Sequence, residues 1–391
     1  MGQRKREHNS KGASLNGARE KELATIHLIN SLLDSIPVDY VQLRKVSAVR
    51  GLVNQQVRAR VWPVLLGVDA QEFDERAYRI WQGEPHRDSN VVNCDVERSL
   101  WSYTEGWTNE ERAVEREKLR NVLNATVSSH GGDVFYYQGL HDITSVLLFT
   151  GGERLALVMM RRLVTCHLRD CTRPSLDAVL ELLGLLLPIL AEVDRPLHAH
   201  IEASGVQPFF GLSWYITWFA HNLPQLAQAA RLFDLFLASH PLMPLYASAA
   251  VLIASRRRIL KCEEDPAEMH RLLTNLPPLE RLNADELAQQ AVSIYRRCPP
   301  KQLLKRTHMR MLTSVAAESY LKDEIWHVPD KPAVPVGVIG RDALYNLAAY
   351  VIPKGRKLRK RAATLASLSI ASTLAALSLG LYMAHYQSGL R

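Results

Sequence analysis

The sequence lacks the short motifs that mark most enzymes acting on nucleotides, esters or peptides. Its 391 residues contain no GxxxxGKS/T or GxGxxG loop, no GxSxG elbow and no HExxH helix. The two glycine-rich motifs cradle phosphates with backbone N–H groups, and the other two carry a serine nucleophile and a zinc site. We therefore expect no nucleotide, cofactor or metal bound by this chain itself, and no small-molecule substrate of its own.

Cysteine is scarce, and no two cysteines form a CxxC pair. The five are scattered along the chain, which is long enough to form a core without disulfides. Cys166, His167 and Cys171 are close enough in sequence to be considered as metal ligands. No second ligand pair follows at the spacing of a zinc site, however. We expect free, buried thiols and a reducing, cytosolic environment.

The distribution of apolar residues predicts neither a secretory signal nor β-strands. Residues 1–21 are polar throughout, whereas a signal peptide needs an apolar stretch. No period-2 alternation bounded by turns is present, so no strands are predicted. Apolar residues recur instead at helical spacing, in segments separated by Pro, Gly and His-Pro. The predicted fold class is all-α, with helices packed on helices.

Positive charge is present, but it is concentrated near the two ends. The net charge is +8. Residues 1–21 contribute +4 and residues 354–361 contribute +6, which leaves the rest of the chain at −2. A nucleic-acid-binding domain would carry its basic residues on the folded domain. The distribution therefore predicts no nucleic-acid partner.

Two residues predict where helices end or begin, and a nearby group of three residues could have either a structural or a binding role. Gly67 follows an apolar stripe and is a plausible helix stop, and Asn283 is a good N-cap. Arg58, Arg60 and Trp62 precede Gly67 and could bind a partner. Salt bridging and core packing are the favoured interpretation of these three residues taken singly.

Changes in charge and hydrophobicity, together with helix-breaking Pro and Gly residues, divide the chain into successive segments. An extended helical domain is flanked by a basic N-terminal part and a proline-containing C-terminal part. The predicted segments are a basic mobile arm (1–21), an amphipathic helix leading into the core (22–44), the main domain (45–260), a helical extension (261–335), a linker with a basic juxtamembrane end (336–361), a membrane span (362–384) and a short lumenal tail (385–391).

Residues 362–384 carry no charge at all. As a helix they would span about 34 Å, enough to cross a bilayer. Basic residues precede them, and Tyr382 and Tyr386 suit an interfacial position at the far end. A buried core helix is the alternative. We expect a single C-terminal transmembrane helix that leaves the N-terminal domain in the cytosol, and its modest hydrophobicity favours a thin membrane such as the endoplasmic reticulum.

Two short motifs, about forty residues apart, contain the candidate functional residues. The first contains Asp95 and Arg98, which would lie on one face of a helix. A helix is predicted over 95–101, with Asp95 either as its N-cap or as an acidic residue of its first turn. The second is Tyr136-Tyr137-Gln138-Gly139. Neither motif offers a nucleophile or a general base. An arginine that stabilises negative charge on a phosphate and a glutamine that orients a water molecule would suit assisted phosphoryl transfer.

Four motifs follow one another along the chain. They are Arg50-Gly51-Leu52 with Arg58-Ala59-Arg60-Val61-Trp62-Pro63-Val64-Leu65-Leu66-Gly67, Val92-x-x-Asp95-x-x-Arg98, Tyr137-Gln138-Gly139-Leu140-His141-Asp142-Ile143, and Trp214-Tyr215-Ile216-Thr217-Trp218-Phe219. Their order resembles that of the TBC domain, the all-helical catalytic domain of Rab GTPase-activating proteins. The resemblance covers about residues 45–260, and the C-terminal span resembles that of the tail-anchored member of the family in the early secretory pathway.

The resemblance implies a function that is completed in another protein's active site. Arg98 matches the arginine finger and Gln138 the glutamine finger, with Asp95, Tyr137 and Gly139 in supporting roles. The partner would be a Rab-family small GTPase in its GTP form, which carries the GTP and Mg²⁺. The alternative is a non-catalytic, membrane-anchored all-α adaptor that binds a GTPase.

Overall fold

The computed structural model describes residues 2–36, 38–276, 283–307 and 314–317. These ranges are helical and contain no β-strand, which confirms the all-α prediction for them. The helices α1 to α17 are, in order, Gly2–Leu33, Tyr40–Arg50, Gln55–Leu66, Glu75–Gly83, Ser89–Glu97, Asn109–Ser128, Leu140–Leu163, Asp177–Leu183, Leu186–Val193, Arg195–Ala203, Leu212–Ile216, Leu226–Leu237, Met243–Ala254, Arg256–Ile259, Pro266–Thr274, Ala284–Arg297 and Pro300–Thr307.

Local sequence signals account for several of the helix ends. Gly67 follows α3 in the left-handed conformation at φ 65°, as predicted for a glycine stop. Thr108 and Glu111 form a reciprocal capping box at the start of α6. Asn283 caps α16, as predicted, by accepting hydrogen bonds from the backbone N–H groups of residues 285 and 286. These ends are set by side chains within a few residues of the helix.

The N-terminal part differs from the predicted mobile arm. Residues 2–21 continue the helix that was expected to begin near residue 22, so that α1 runs from Gly2 to Leu33. The segment contains no proline before residue 37, and its Lys, Arg, Glu and Ala residues are good helix formers. The basic, polar composition of residues 1–21 favoured a mobile arm. The same composition is nevertheless compatible with a helix that extends from the more apolar residues after it.

The centre of the fold is α7, which follows directly after the Tyr-Tyr-Gln-Gly word. It packs against α6, α3 and α12. Gly152 at φ 75° breaks its regular backbone. Among the described residues it is the one helix long and apolar enough to cross a bilayer, but 72% of its most apolar stretch is buried within the domain. This helix is therefore the central core helix, and its first turn presents the candidate site.

A buried ion pair fastens α3 to α12. Arg58 Nε and Nη2 each lie 3.0 Å from an oxygen of Asp234, and the Trp62 indole N–H donates to the same carboxylate at 2.9 Å. The backbone N–H of Leu52 supplies a further hydrogen bond at 3.0 Å. Arg60, by contrast, is exposed and donates to Asn30. Salt bridging and core packing, the favoured interpretation of the three residues, describe Arg58 and Trp62, whereas Arg60 makes an exposed hydrogen bond instead.

The segment predicted as a helical extension contributes to the same core. Within the described residues it provides α15, α16 and α17, and α16 packs against α13, α12 and α2. Ala288 and Ala291 of α16 are fully buried. The expected boundary at 260/261 is therefore not a boundary of packing. The predicted linker (336–361), membrane span (362–384) and terminal tail (385–391) lie outside the described residues.

Candidate functional site

Arg98 lies immediately after the last residue of α5. Its backbone N–H still donates to the carbonyl of Asp95, and its side chain is 48% exposed. Nη2 donates to Asp95 Oδ1 at 2.5 Å. Within the described part of the chain the other guanidinium nitrogens of Arg98 make no hydrogen bond, so most of its donors point to solvent.

Asp95 is buried, with 2% of its side chain exposed. It stands in the last turn of α5 rather than at the N-cap or in the first turn of a helix over 95–101, so that prediction is wrong. The helix begins six residues earlier, at Ser89. Asp95 Oδ2 accepts a hydrogen bond of 2.8 Å from the Tyr136 hydroxyl. Burial, followed by the Asp95 charge, raises the pKa of Tyr136 well above its usual value, so the hydroxyl keeps its proton.

Gln138 lies on the turn between an extended segment and α7, and its side chain is exposed. No hydrogen bond to Gln138 occurs among the described side chains, so its amide can both donate and accept. Tyr137, just before it, is buried and donates to the carbonyl of Ile216 at 2.9 Å. Gly139, just after it, has φ 113°, a conformation that favours glycine.

The segment that precedes Gln138 is held by the loop after α7. The N–H of Phe135 donates to the carbonyl of Thr172 at 2.9 Å, and Arg169 donates to the carbonyl of Asp133 at 2.9 Å. The guanidinium of Arg87 also lies 3.4 Å from the centroid of the Phe135 ring. These contacts support the turn without using the Gln138 side chain.

The structure links the two candidate fingers through buried groups. Arg98 pairs with Asp95, Asp95 accepts from Tyr136, and Tyr136 is two residues before Gln138. Both Arg98 and Gln138 are exposed, whereas the residues between them are buried. The tyrosine that makes this link is Tyr136, and not the Tyr137 singled out from the sequence. Tyr137 supports the turn from its other side.

Sequence reasoning missed a group of charged residues beneath the site. His141 Nδ1 lies 3.6 Å from Asp95 Oδ2, and His141 Nε2 lies 3.5 Å from Asp142 Oδ1. His221 Nδ1 lies 3.2 Å from Asp142 Oδ2. The signal was present, because His141-Asp142 follows the Tyr137-Gln138-Gly139 motif with only Leu140 between them. His221 could not be found this way, since its contact joins residues far apart in the chain.

The Asp142–His221 pair shifts the titration of both groups. Burial would raise the pKa of Asp142, but His141 and His221 outweigh it and the pKa is lowered. The hydrogen-bonding interaction with Asp142 raises the pKa of His221 against the opposing effect of burial. The carboxylate and the imidazolium therefore favour each other's charged forms.

These shifts predict a pH dependence of stability. A lowered carboxyl pKa stabilises the fold above the carboxyl's unfolded value of about 4, and a raised histidine pKa stabilises it below the histidine's unfolded value of about 6.5. The contribution of the pair is thus largest between those values. It is lost as the pH rises through the folded pKa of His221 or falls through that of Asp142. An NMR titration should place the pKa of His221 above 6.5, and Asp142→Asn should lower it. An unchanged His221 pKa in that variant would contradict the pairing.

The backbone conformation of Gly139 predicts that this position is sensitive to substitution. A Cβ at residue 139 would lie 2.8 Å from Thr217 Cγ2, in addition to the strain of the positive φ. Gly139→Ala should therefore displace the Gln138 turn and destabilise the domain by about 1–3 kcal/mol. Adding Thr217→Ser removes the clashing methyl group and should recover part of the loss, but not the part caused by φ. Thermal unfolding of the single and double variants separates the two causes. Equal melting temperatures for both would show that the clash plays no part.

Cys166 and His167, which were considered as metal ligands, have structural roles. Cys166 is buried, and its thiol donates to the carbonyl of Arg162 at 2.9 Å. Burial raises the pKa of Cys166 to about 11 and lowers that of His167 to about 3, so both groups stay neutral. Cys171 is also buried, whereas Cys94 is exposed, contrary to the expectation that the thiols are buried. Among the described residues, no group of three or more His, Cys, Asp or Glu side chains is arranged so that it could hold a metal ion.

Comparison with known proteins places this arrangement in a family. A profile of the Rab-GTPase-TBC domain matches residues 55–260. The chain is 34% identical over 312 residues to TBC1 domain family member 20 of Mus musculus, covering 80% of this chain and 76% of that protein. It is 33% identical over 236 residues to the GTPase-activating protein gyp10 of Schizosaccharomyces pombe, covering 60% and 62% of the two proteins.

A solved structure supports the fold. The Chlamydomonas flagellar RabGAP TBC domain superposes with a TM-score of 0.55 at 22% identity, covering 74% of this chain and 95% of that one. The matched residues include both α5 and the turn before α7, where Arg98 and Gln138 lie. The chain belongs to the Rab-GTPase-TBC domain family.

Proposed function

We propose that this protein accelerates GTP hydrolysis by a Rab-family small GTPase in its GTP form, with Arg98 and Gln138 acting in trans. Family membership and a relative named as a GTPase-activating protein support a Rab partner. The observation that carries the finer proposal is the buried chain of contacts from Arg98 through Asp95 to Tyr136. Arg98 is exposed at one end of these contacts, and Gln138 is exposed two residues after Tyr136 at the other end.

Arg98 supplies positive charge to the γ-phosphate as the bond to the leaving group breaks. Negative charge spreads over the phosphate oxygens in that transition state, and an arginine delivered in trans stabilises it. Asp95 holds one end of the guanidinium at 2.5 Å, so part of the ordering is completed before the GTPase arrives. The remaining N–H donors are available for two-point contact with phosphate oxygens.

Gln138 positions the attacking water. Its amide oxygen can accept a hydrogen bond from the water while its amide N–H donates to a phosphate oxygen. The side chain is free of protein partners within the described residues, and its backbone is fixed by Tyr137 and by the Gly139 turn. The GTP and Mg²⁺ belong to the partner, so this chain needs no cofactor of its own.

The hydrolysis experiment uses the full chain in detergent micelles with a panel of GTP-loaded Rab proteins. We expect strong stimulation of at least one Rab under single-turnover conditions, and loss of it in Gln138→Ala. The non-catalytic adaptor alternative predicts binding to a GTP-loaded Rab without any change in its hydrolysis rate. A panel in which no Rab is stimulated, while one is retained in a pull-down, would favour the adaptor.

We also propose that residues 362–384 anchor the protein in the endoplasmic reticulum membrane, with the catalytic domain in the cytosol. The support is the uncharged run, the basic residues before it and the tyrosines at its far end. Alkaline carbonate extraction of cells that express the full chain should leave it in the membrane pellet. Deletion of residues 362–391 should release it. Release of the full chain by carbonate would instead support the alternative of a core helix.

A further inference from the structure

Trp101 lies three residues after Arg98 and exposes 55% of its surface. Single exposed apolar side chains are common and need no special explanation. Trp101 differs because its ring has a fixed support. The guanidinium carbon of Arg112 lies 4.0 Å from the ring centroid, and that of Arg116 lies 5.0 Å from it. One indole is therefore stacked against two cations while much of its surface remains open.

The two arginines are held by other partners and do not need the indole. Arg112 donates to Thr104 Oγ1 at 2.8 Å and also to Asn109 and two backbone carbonyls. Arg116 donates to the carbonyl of Ser99 at 3.0 Å. The stack is thus a platform built by α6 and the turn after α5. Trp101 rests on this platform and gains orientation from it.

The backbone before Trp101 is unusual in the same region. Leu100 has φ 71°, a left-handed conformation that is a genuine outlier for a bulky residue. Its side chain is buried, and its carbonyl accepts from Thr104 Oγ1 at 2.7 Å. Such strain persists where the surrounding structure imposes it, and it clusters at functional sites. Here Leu100 enters the core while the next side chain stays at the surface.

We propose that Trp101 is a docking residue for the GTP-bound Rab, packing against an apolar side chain beside the nucleotide site. This inference rests on the proposed function. If Arg98 enters the nucleotide site, Trp101 lies within about 10 Å of chain from it and belongs to the same contact surface. Tryptophan and arginine are the residues most enriched among those that dominate binding energy. A pre-oriented indole loses little conformational freedom on binding.

The test measures kcat and KM separately, with the Rab most strongly stimulated in the hydrolysis panel, loaded with GTP, as substrate. Trp101→Ala should raise KM about tenfold or more, as expected for loss of a dominant contact, with kcat within about twofold. Trp101→Phe retains a ring on the platform and should restore most of the affinity. Trp81→Ala is the matched control, because Trp81 is also stacked on an arginine, Arg161 at 4.6 Å, near the opposite end of α7. That control should leave KM unchanged.

The outcomes separate docking from a structural role and from failure of the proposed function. An unchanged KM in Trp101→Ala overturns the docking proposal. So does a fall in kcat at constant KM, because it would mean that the ring only steadies Arg116, and through Ser99 the finger. Arg98→Ala is measured alongside. If it stimulates hydrolysis as well as the wild type does, the finger mechanism fails whatever Trp101 does.

Discussion

Replacement of Arg98 by alanine is expected to lower the stimulated rate of GTP hydrolysis about 10³–10⁵-fold, which corresponds to roughly 4–7 kcal/mol of transition-state stabilisation. Because the arginine acts on charge that develops only during reaction, kcat should carry most of the loss. Arg98 is 48% exposed, but its partner Asp95 is buried, so removing the counter-charge should also lower the melting temperature. The Tyr136 hydroxyl still donates to Asp95 in this variant, and we expect the domain to remain folded at the assay temperature. Single-turnover hydrolysis and thermal unfolding of the same preparation check both statements.

The lysine variant distinguishes charge from geometry. Arg98→Lys keeps one positive charge but loses the planar fork, which is needed to contact Asp95 and a phosphate oxygen at the same time. It should therefore also lose most of the stimulation. Arg79→Ala is the control, since Arg79 is an exposed arginine whose ion pair is with Glu75 of its own helix. A lysine variant with near wild-type kcat would show that a point charge suffices, and would remove the structural argument for Asp95.

The parts of the fold that the sequence predicts are those fixed by neighbouring residues. Gly67 ends α3 because only a few residues tolerate its backbone conformation, and Asn283 begins α16 by binding N–H groups two and three residues on. The start of α5 was misjudged because Asp88, which precedes it, makes no side-chain cap. Asp88 instead accepts from the N–H of Tyr136, far along the chain. Local signals fail where tertiary contacts redirect the capping group.

The candidate site likewise contains some residues that the sequence identifies and others whose contacts only the fold reveals. Taken alone, Arg98 would be interpreted as a salt-bridge residue and Gln138 as a loop cap. The resemblance of four ordered motifs to the TBC domain is what identifies them as candidate fingers. The roles of Tyr136, His141 and His221 depend on contacts across the fold, which spacing along the chain does not reveal. The sequence thus identifies exposed chemistry more readily than the buried groups that orient it.

Replacement of Asp234 by asparagine is expected to destabilise the domain by about 3–5 kcal/mol. Among the described residues, the Asp234 carboxylate accepts hydrogen bonds from the Arg58 guanidinium, the Trp62 indole and the Leu52 N–H. An amide of the same shape offers one acceptor oxygen, and its NH₂ group faces donors. The buried cation also loses its counter-charge. Chemical unfolding of the full chain in detergent micelles, followed by far-UV circular dichroism, measures the loss.

Two further variants show whether the whole cluster, rather than the charge pair alone, is responsible. Arg60→Ala, two residues along the same helix, removes an exposed arginine and should change stability by no more than about 0.5 kcal/mol. Replacing both partners, Arg58→Met with Asp234→Leu, often restores stability for an isolated buried pair. Here it should not, because the Trp62 and Leu52 donors would remain buried without an acceptor, at about 1–3 kcal/mol each. A double variant as stable as the wild type would show that these two donors do not depend on Asp234.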